Sequence, residues 1–251
     1  MDGITGKTGL FRSLLARASR FERGFLIALA LAASALFIFV KTASEVFEGE
    51  AHAFDTYVML IFRNPQDLSD PIGPRWFEEA MRDFTALGGT AVLGTITLFV
   101  VAFLLISGKK RTALLVTVSI IGGMILSNAL KWTFDRPRPD LVPHGAEVYT
   151  LSFPSSHAMM SAVVYLTLGA LLSRTQTSPR IRIYLLCCAV ILTVLVGVSR
   201  VYLGVHWPTD VIAGWAVGGC WALASWMLAL WMQRAGPIEE PGDAVEQGPS
   251  G

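Results

Sequence analysis

Three short polar islands interrupt the long apolar runs of this 251-residue chain: Lys131 to Pro139, Pro154 to His157, and Ser199 to Asp210. They hold three fixed cations (Lys131, Arg138, Arg200), two of the four histidines (His157, His206), the carboxylate of Asp210 and a Ser-Ser pair after a proline. These residue types suit a phosphate-handling site. Arg grips phosphate oxygens in pairs, Lys supplies a point charge, and a histidine held by a carboxylate can attack or move a proton. Ionisable groups at the edge of a bilayer are costly, so their presence there is a functional signal.

In the first island Lys131 and Arg138 are seven residues apart, nearly two helical turns. Pro137 and Pro139 argue against a continuing helix, and Arg138, which precedes a proline, is expected in a loop folded back over the helix end. The same cations would also serve as interfacial anchors whose charged heads snorkel to water. Asp135 and Arg136 can simply pair with each other and are placed outside the site. In the second island Pro154, Ser155 and Ser156 mark a helix start, where unpaired N–H groups and the positive end of the dipole receive an anion. Capping alone would account for the serines equally well. His157 falls in the first turn. In the third, Pro208 suits the first turn of a helix. Asp210, four residues after His206, can reach back to one imidazole nitrogen and leave the other free to attack. His52 and His144 read as solvated bystanders.

The elements that must position these residues follow from composition. The chain is 53% hydrophobic and 16% charged, with a net charge of +1 and a mean hydropathy of +0.54. A soluble domain carries more charge. Six apolar runs are long enough to approach the roughly 20 residues that cross a bilayer: 24–40, 87–107, 111–130, 157–172, 181–201 and 208–232. The expected fold is therefore all-α, a polytopic membrane bundle of six transmembrane helices. The expected division is a basic segment 1–23, a six-helix body 24–234 and a disordered tail 235–251. The near-zero net charge argues against a nucleic-acid partner. Cys187, Cys188 and Cys220 fall inside apolar runs, as small buried hydrophobes do.

Lys and Arg are gathered before the first run, between the second and third (Lys109, Lys110, Arg111), between the fourth and fifth (Arg174, Arg180, Arg182) and after the sixth (Arg234). The positive-inside rule makes these segments, and so both termini, cytoplasmic. All three islands then fall on the extracytoplasmic side. Before residue 24 the alternation of Leu and Phe with Arg12, Arg17 and Arg20 suits a helix lying on an anionic leaflet, or a basic tail that only enforces topology. In the long outer loop, apolar residues around Phe54 to Ile61 and Trp76 to Phe84 have helical spacing on either side of a turn-rich stretch at 65–74. Two short interfacial helices near the site are expected there.

Lys131 with Arg138-Pro139, Pro154-Ser155-Ser156-His157, and Ser199-Arg200 with His206 and Asp210 resemble the three-part signature of the type 2 phosphatidic acid phosphatase family, whose site architecture is shared with vanadium haloperoxidases. Order and spacing match in all three parts, with Ser156 where the family usually has glycine. The resemblance implies that Lys131, Arg138 and Arg200 bind phosphate oxygens with help from Ser155 and the amide of Ser156. It implies that His206, oriented by Asp210, attacks phosphorus to form a phosphohistidine, and that His157 moves the proton. No metal or other cofactor is implied. The implied partner is a membrane lipid phosphate, such as phosphatidate, phosphatidylglycerophosphate, an isoprenyl diphosphate or phosphorylated lipid A. The implied location is the cytoplasmic (inner) membrane. A phosphotransferase acting on the same lipids is an alternative. A transporter or scaffold is disfavoured, because transport calls for charge near the midplane of the spans.

Overall fold

The computed structural model describes residues 3–146 and 150–235, with side chains described from 24 to 231. The side chains of the expected amphipathic face before residue 24 and of Arg234 therefore lie outside the described residues, as does the expected disordered tail 235–251 from residue 236 on. Helix α1 (Gly3–Glu48) is followed by α2 (His52–Leu60), strands β1 (Arg63–Asn64) and β2 (Asp67–Pro71), α3 (Arg75–Ala86), α4 (Thr90–Ile106) and α5 (Lys110–Phe134). After a long loop come α6 (Ser156–Ser161), a π-helical turn at Ala162–Leu166 and α7 (Thr167–Arg174), which together make one span. Then follow α8 (Pro179–Tyr202) and α9 (Pro208–Ala235).

Five stretches are long and apolar enough to cross a membrane: Gly24–Glu48, Lys110–Phe134, Ser156–Arg174, Pro179–Tyr202 and Pro208–Trp231. The remaining expected span, 87–107, forms α4, which is only 17 residues. It reaches spanning length together with α3, from which it is bent by 48°. Helices are the natural outcome here, because lipid offers no partner to a backbone N–H or C=O. Their outer faces are apolar and uncovered, with Phe37, Phe99 and Trp231 among the large exposed side chains. The first span runs past its expected end at Val40 because Lys41, Ser44, Glu45 and Glu48 bond along the helix, Ser44 to Glu48 at 2.6 Å and Lys41 to Glu45 at 3.7 Å.

The bundle interior is built from α4, α5, the π turn and α8, with Leu93, Val116, Ile120, Val163, Val164 and Val196 buried together. Helix α1 packs on α9 through Ala43 and Ala213. There Phe39, Phe134 and Phe153 form an aromatic cluster, the last two with ring centroids 4.7 Å apart. Two glycines let α9 approach α6 at backbone distance. A Cβ on Gly214 would stand 2.7 Å from the Ser155 carbonyl, and one on Gly218 would stand 2.4 Å from that of Met159. This contact brings the start of α9 beside the start of α6.

The long connection after α1 holds the two expected short helices, α2 and α3, with a small hairpin between them. Asn64 pairs with Asp67 and Arg63 with Pro71. Asn64 and Asp67 turn the chain by accepting the amides two residues on, at 3.1 and 2.9 Å.

Candidate active site

The chain reverses between α8 and α9 in five residues, and His206 stands in that reversal rather than on a helix. Helix α8 closes in a Schellman motif. Gly204 takes φ +71°, its N–H bonds to the Val201 carbonyl at 3.0 Å, and Val205 N–H bonds to that of Arg200 at 3.2 Å. Helix α9 then opens with Pro208 in its first turn, and Asp210 Oδ2 accepts the Trp207 N–H at 3.0 Å, the reciprocal half of a capping box. The two motifs leave His206 2% exposed between the end carrying Arg200 and the end carrying Asp210.

His206 Nδ1 lies 3.2 Å from Asp210 Oδ2, and Nε2 lies 3.2 Å from Arg138 Nη1. A guanidinium donates and never accepts. Nε2 therefore presents its lone pair and Nδ1 carries the proton, which the carboxylate receives. Burial, and then the charges of Arg200, Arg138, Lys131 and His157, hold the pKa of His206 well below 6.5, so the ring stays neutral at physiological pH. Each of these groups lies close enough to disfavour an imidazolium.

The three islands converge on this histidine. Lys131, at the end of α5, is 4% exposed and donates to the Leu151 carbonyl. Arg138 leaves the helix as expected: α5 stops at Asp135 in the left-handed region (φ 43°). Its guanidinium bonds to the carbonyls of Thr150 at 2.7 Å and Val205 at 2.6 Å. Burial pushes its pKa down, with Asp210 opposing. Arg200 is 3% exposed and donates to Thr85 Oγ1 at 2.9 Å. Its Nε is buried without a hydrogen-bond partner among the described residues. Ser155 caps α6 through its side chain and donates its amide to the Asp210 carbonyl at 3.0 Å, tying two islands together. Ser156 turns its hydroxyl to Ser127 Oγ on α5, 2.9 Å away. His157 is half-buried beside Gly88, at the α3–α4 bend.

Arg136 corrects the sequence expectation. It does not pair with its neighbour Asp135; Nη1 reaches Asp210 Oδ1 at 2.7 Å and Nη2 reaches Asp55 Oδ2 at 2.6 Å. Two more residues went unread. Ser152 Oγ donates to Asp210 Oδ2 and lies 3.3 Å from His206 Nδ1, and Thr85 holds Arg200. His52, though exposed, packs edge-on against Trp207 with ring centroids 5.7 Å apart, and His144 bonds to the Pro139 carbonyl at 2.8 Å.

Beside the cations lies a cavity of about 480 Å³ lined by Asn128, Lys131, Trp132, Arg136, Arg138 and Thr150. Trp132, on its rim, is 86% exposed on the apolar outer face of α5. Among the described residues no three His, Cys, Asp or Glu side chains gather as a metal site would require. The arrangement offers an unprotonated imidazole nitrogen, an oriented carboxylate, a second histidine and fixed positive charge, which together suit attack on an oxyanion's central atom.

The sequence profile of the PAP2 superfamily matches residues 112–234. Phosphatidylglycerophosphatase B of Bacillus subtilis is 34% identical over 146 residues, 57% of this chain and 70% of the relative. Undecaprenyl-diphosphatase of Sulfolobus acidocaldarius is 34% identical over 152 residues, 56% of this chain and 65% of the relative. The crystal structure of a transmembrane PAP2-type phosphatidylglycerolphosphate phosphatase from Bacillus subtilis superposes with a TM-score of 0.70 at 26% identity, covering 81% of this chain and 98% of that one.

Proposed function

The chain belongs to the PAP2 superfamily of membrane lipid phosphatases and is a phosphoric ester hydrolase; on that footing we propose that it cleaves the terminal phosphate of a membrane lipid by attack of His206. One observation carries the reading: Arg138 faces His206 Nε2 while Asp210 faces Nδ1, which leaves the lone pair of Nε2 on the side of the cations. Arg138, Lys131 and Arg200 receive the phosphate oxygens, with Ser155 and the first amides of α6 completing the cradle. Lys131, Arg136, Arg138 and Arg200, set against Asp55 and Asp210, leave two positive charges, a match for a phosphate dianion. Nε2 attacks phosphorus in line, the N–P bond forms and the P–O bond breaks. His157, which takes up a proton once the phosphate anion sits among the cations, gives that proton to the departing oxygen. Neutral His157 then takes a proton from water, whose oxygen attacks the phosphohistidine; phosphate leaves and His206 is restored.

The apolar outer faces and the cavity rim at Trp132 favour a lipid whose tails stay in the bilayer while its phosphate reaches Lys131 and Arg138. Phosphatidylglycerophosphate and undecaprenyl diphosphate, named in the relatives, are the first substrates to try; phosphatidate and lipid A phosphates complete the panel. The reading takes 24–234 as the phosphatase unit, lying in the inner membrane with its site facing the extracytoplasmic side. The test is phosphate release from this panel by the detergent-solubilised chain in EDTA, with an alkaline quench to trap the phosphohistidine. His206→Ala is expected to lose the trapped species and to fall by about 1,000-fold or more in kcat. Full activity in that variant removes His206 from the mechanism.

A further inference from the structure

We infer that Asp55 and Arg136 are positioning residues for the His206–Asp210 pair, so that a carboxylate on the outer-loop helix α2 governs the rate of phosphoryl transfer. The inference rests on the reading of His206 as nucleophile. Asp55 lies 81 residues before Arg136 and is fully buried. Its Oδ1 accepts the Thr209 N–H at 2.8 Å, so it caps the start of α9 from another element. Its Oδ2 accepts Thr209 Oγ1 at 2.7 Å and Arg136 Nη2 at 2.6 Å.

Arg136 in turn gives Nη1 to Asp210 Oδ1 at 2.7 Å and to Thr209 Oγ1 at 2.8 Å. Its guanidinium carbon stands 5.5 Å from the centroid of the Trp207 ring, and that indole bonds to the Pro137 carbonyl at 3.2 Å. Both terminal nitrogens of Arg136 are thus committed to carboxylates. It differs in this from Arg138 and Arg200, whose nitrogens meet carbonyls, a ring nitrogen and two hydroxyls, and no carboxylate.

The consequence falls on Asp210. Its Oδ2 serves His206, Ser152 and Trp207, whereas Oδ1 is held by Arg136. With four donors on two oxygens the carboxylate cannot rotate, and the His206 ring is fixed with it. Removing Arg136 leaves Oδ1 buried and unpaired. Removing the charge of Asp55 leaves Arg136 without the partner that holds Nη2, so its grip on Asp210 Oδ1 loosens. An ion pair that merely fastened α2 to α9 would affect folding; this chain of bonds ends on Nδ1 of the reacting imidazole, the nitrogen that sets the direction in which Nε2 points.

The test uses the full chain in detergent and the lipid phosphate of the panel that the wild type hydrolyses fastest. Inorganic phosphate serves as inhibitor to report the anion site. Asp55→Asn and Arg136→Gln are expected to lower kcat by about 10- to 100-fold, as loss of a supporting hydrogen-bond partner does elsewhere. KM and the phosphate inhibition constant are expected to stay within about 3-fold, and Arg136→Lys to recover part of the loss. In an Asp210→Asn background the Asp55→Asn step is expected to change nothing further, because the two act through one carboxylate. The inference is overturned if kcat is unchanged, if the loss appears only in KM, or if Asp55→Asn costs as much without Asp210 as with it. Should Arg136→Gln fail to fold, Asp55→Asn and Arg136→Lys preserve shape and decide the matter. His206→Ala, assayed alongside, separates the two ideas: activity there would refute the nucleophile, whatever the Asp55 variants do.

Discussion

Arg138 can only donate hydrogen bonds, and that property decides which nitrogen of His206 is free to react. The same cation helps keep His206 neutral, after burial and Arg200. Taking away a positive neighbour makes the imidazolium less costly, so Arg138→Gln is expected to raise the pKa of His206 toward 6.5. The acid limb of kcat/KM then moves to higher pH. Profiles recorded for wild type and variant on one lipid share the substrate's own ionisation, so their difference isolates the enzyme; an unmoved limb counts against this account. The sign for stability is also fixed: as pH falls below 6.5 the unfolded chain protonates at His206 and the folded one resists, so stability drops with acid. Ser152 supplies another donor to Asp210, and Ser152→Ala is expected to raise the barrier by about 1–2 kcal/mol, roughly 10-fold in kcat, with little change in KM. The eight residues proposed from sequence were legible because their spacing repeats a known signature. Ser152, Arg136 and Asp55 were not, because local spacing cannot reveal that Asp55 and Arg136 meet across 81 residues.

Between elements, the meeting of α6 and α9 decides whether the proposed phosphate cradle and His206 face each other. That meeting depends on Gly218, where a Cβ would stand 2.4 Å from a backbone carbonyl that has no room to give. Gly218→Leu is expected to lower stability by about 1–3 kcal/mol, with loss of activity, as overpacking does. The next residue is an internal control: a Cβ on Gly219 meets nothing within 4 Å, so Gly219→Ala is expected to stabilise by about 0.5–1 kcal/mol through helix propensity alone. Thermal unfolding in one detergent compares the two; equal effects would mean that the close approach is not limiting. Hydropathy made the spans readable, since an apolar run in lipid has few options besides a helix. It did not reveal the 48° bend between α3 and α4, because bending at Gly88 and Gly89 is set by what packs there, Val196 and His157, rather than by local composition. The 63–71 hairpin was read only as a turn-rich stretch, its pairing being too short to leave an alternating pattern.

At the scale of the molecule the short connections between spans differ in charge, though the charges of the chain nearly cancel in sum. Lys109, Lys110 and Arg111 lie where α4 passes to α5, and Arg174 to Arg182 where α7 passes to α8. The proposed site stands where α5 gives way to its loop, α6 begins, α8 stops and α9 starts, which in helices that cross a bilayer is the other end. With it stand Asp67 and Asp70 of the hairpin and Glu78 and Glu79 of α3. Basic loops are retained on the cytoplasmic side, so the site is expected to open to the outside, where a lipid phosphate meets water and the released phosphate escapes without crossing the membrane. Single cysteines test this in a chain whose Cys187, Cys188 and Cys220 are replaced by alanine. Gln66→Cys at the exposed hairpin tip is expected to react with a membrane-impermeant thiol reagent in intact cells. Thr177→Cys, exposed between α7 and α8, is expected to react only after permeabilisation. The reverse pattern would place the site in the cytoplasm and require a lipid phosphate of the inner leaflet as substrate, leaving the chemistry at His206 unchanged.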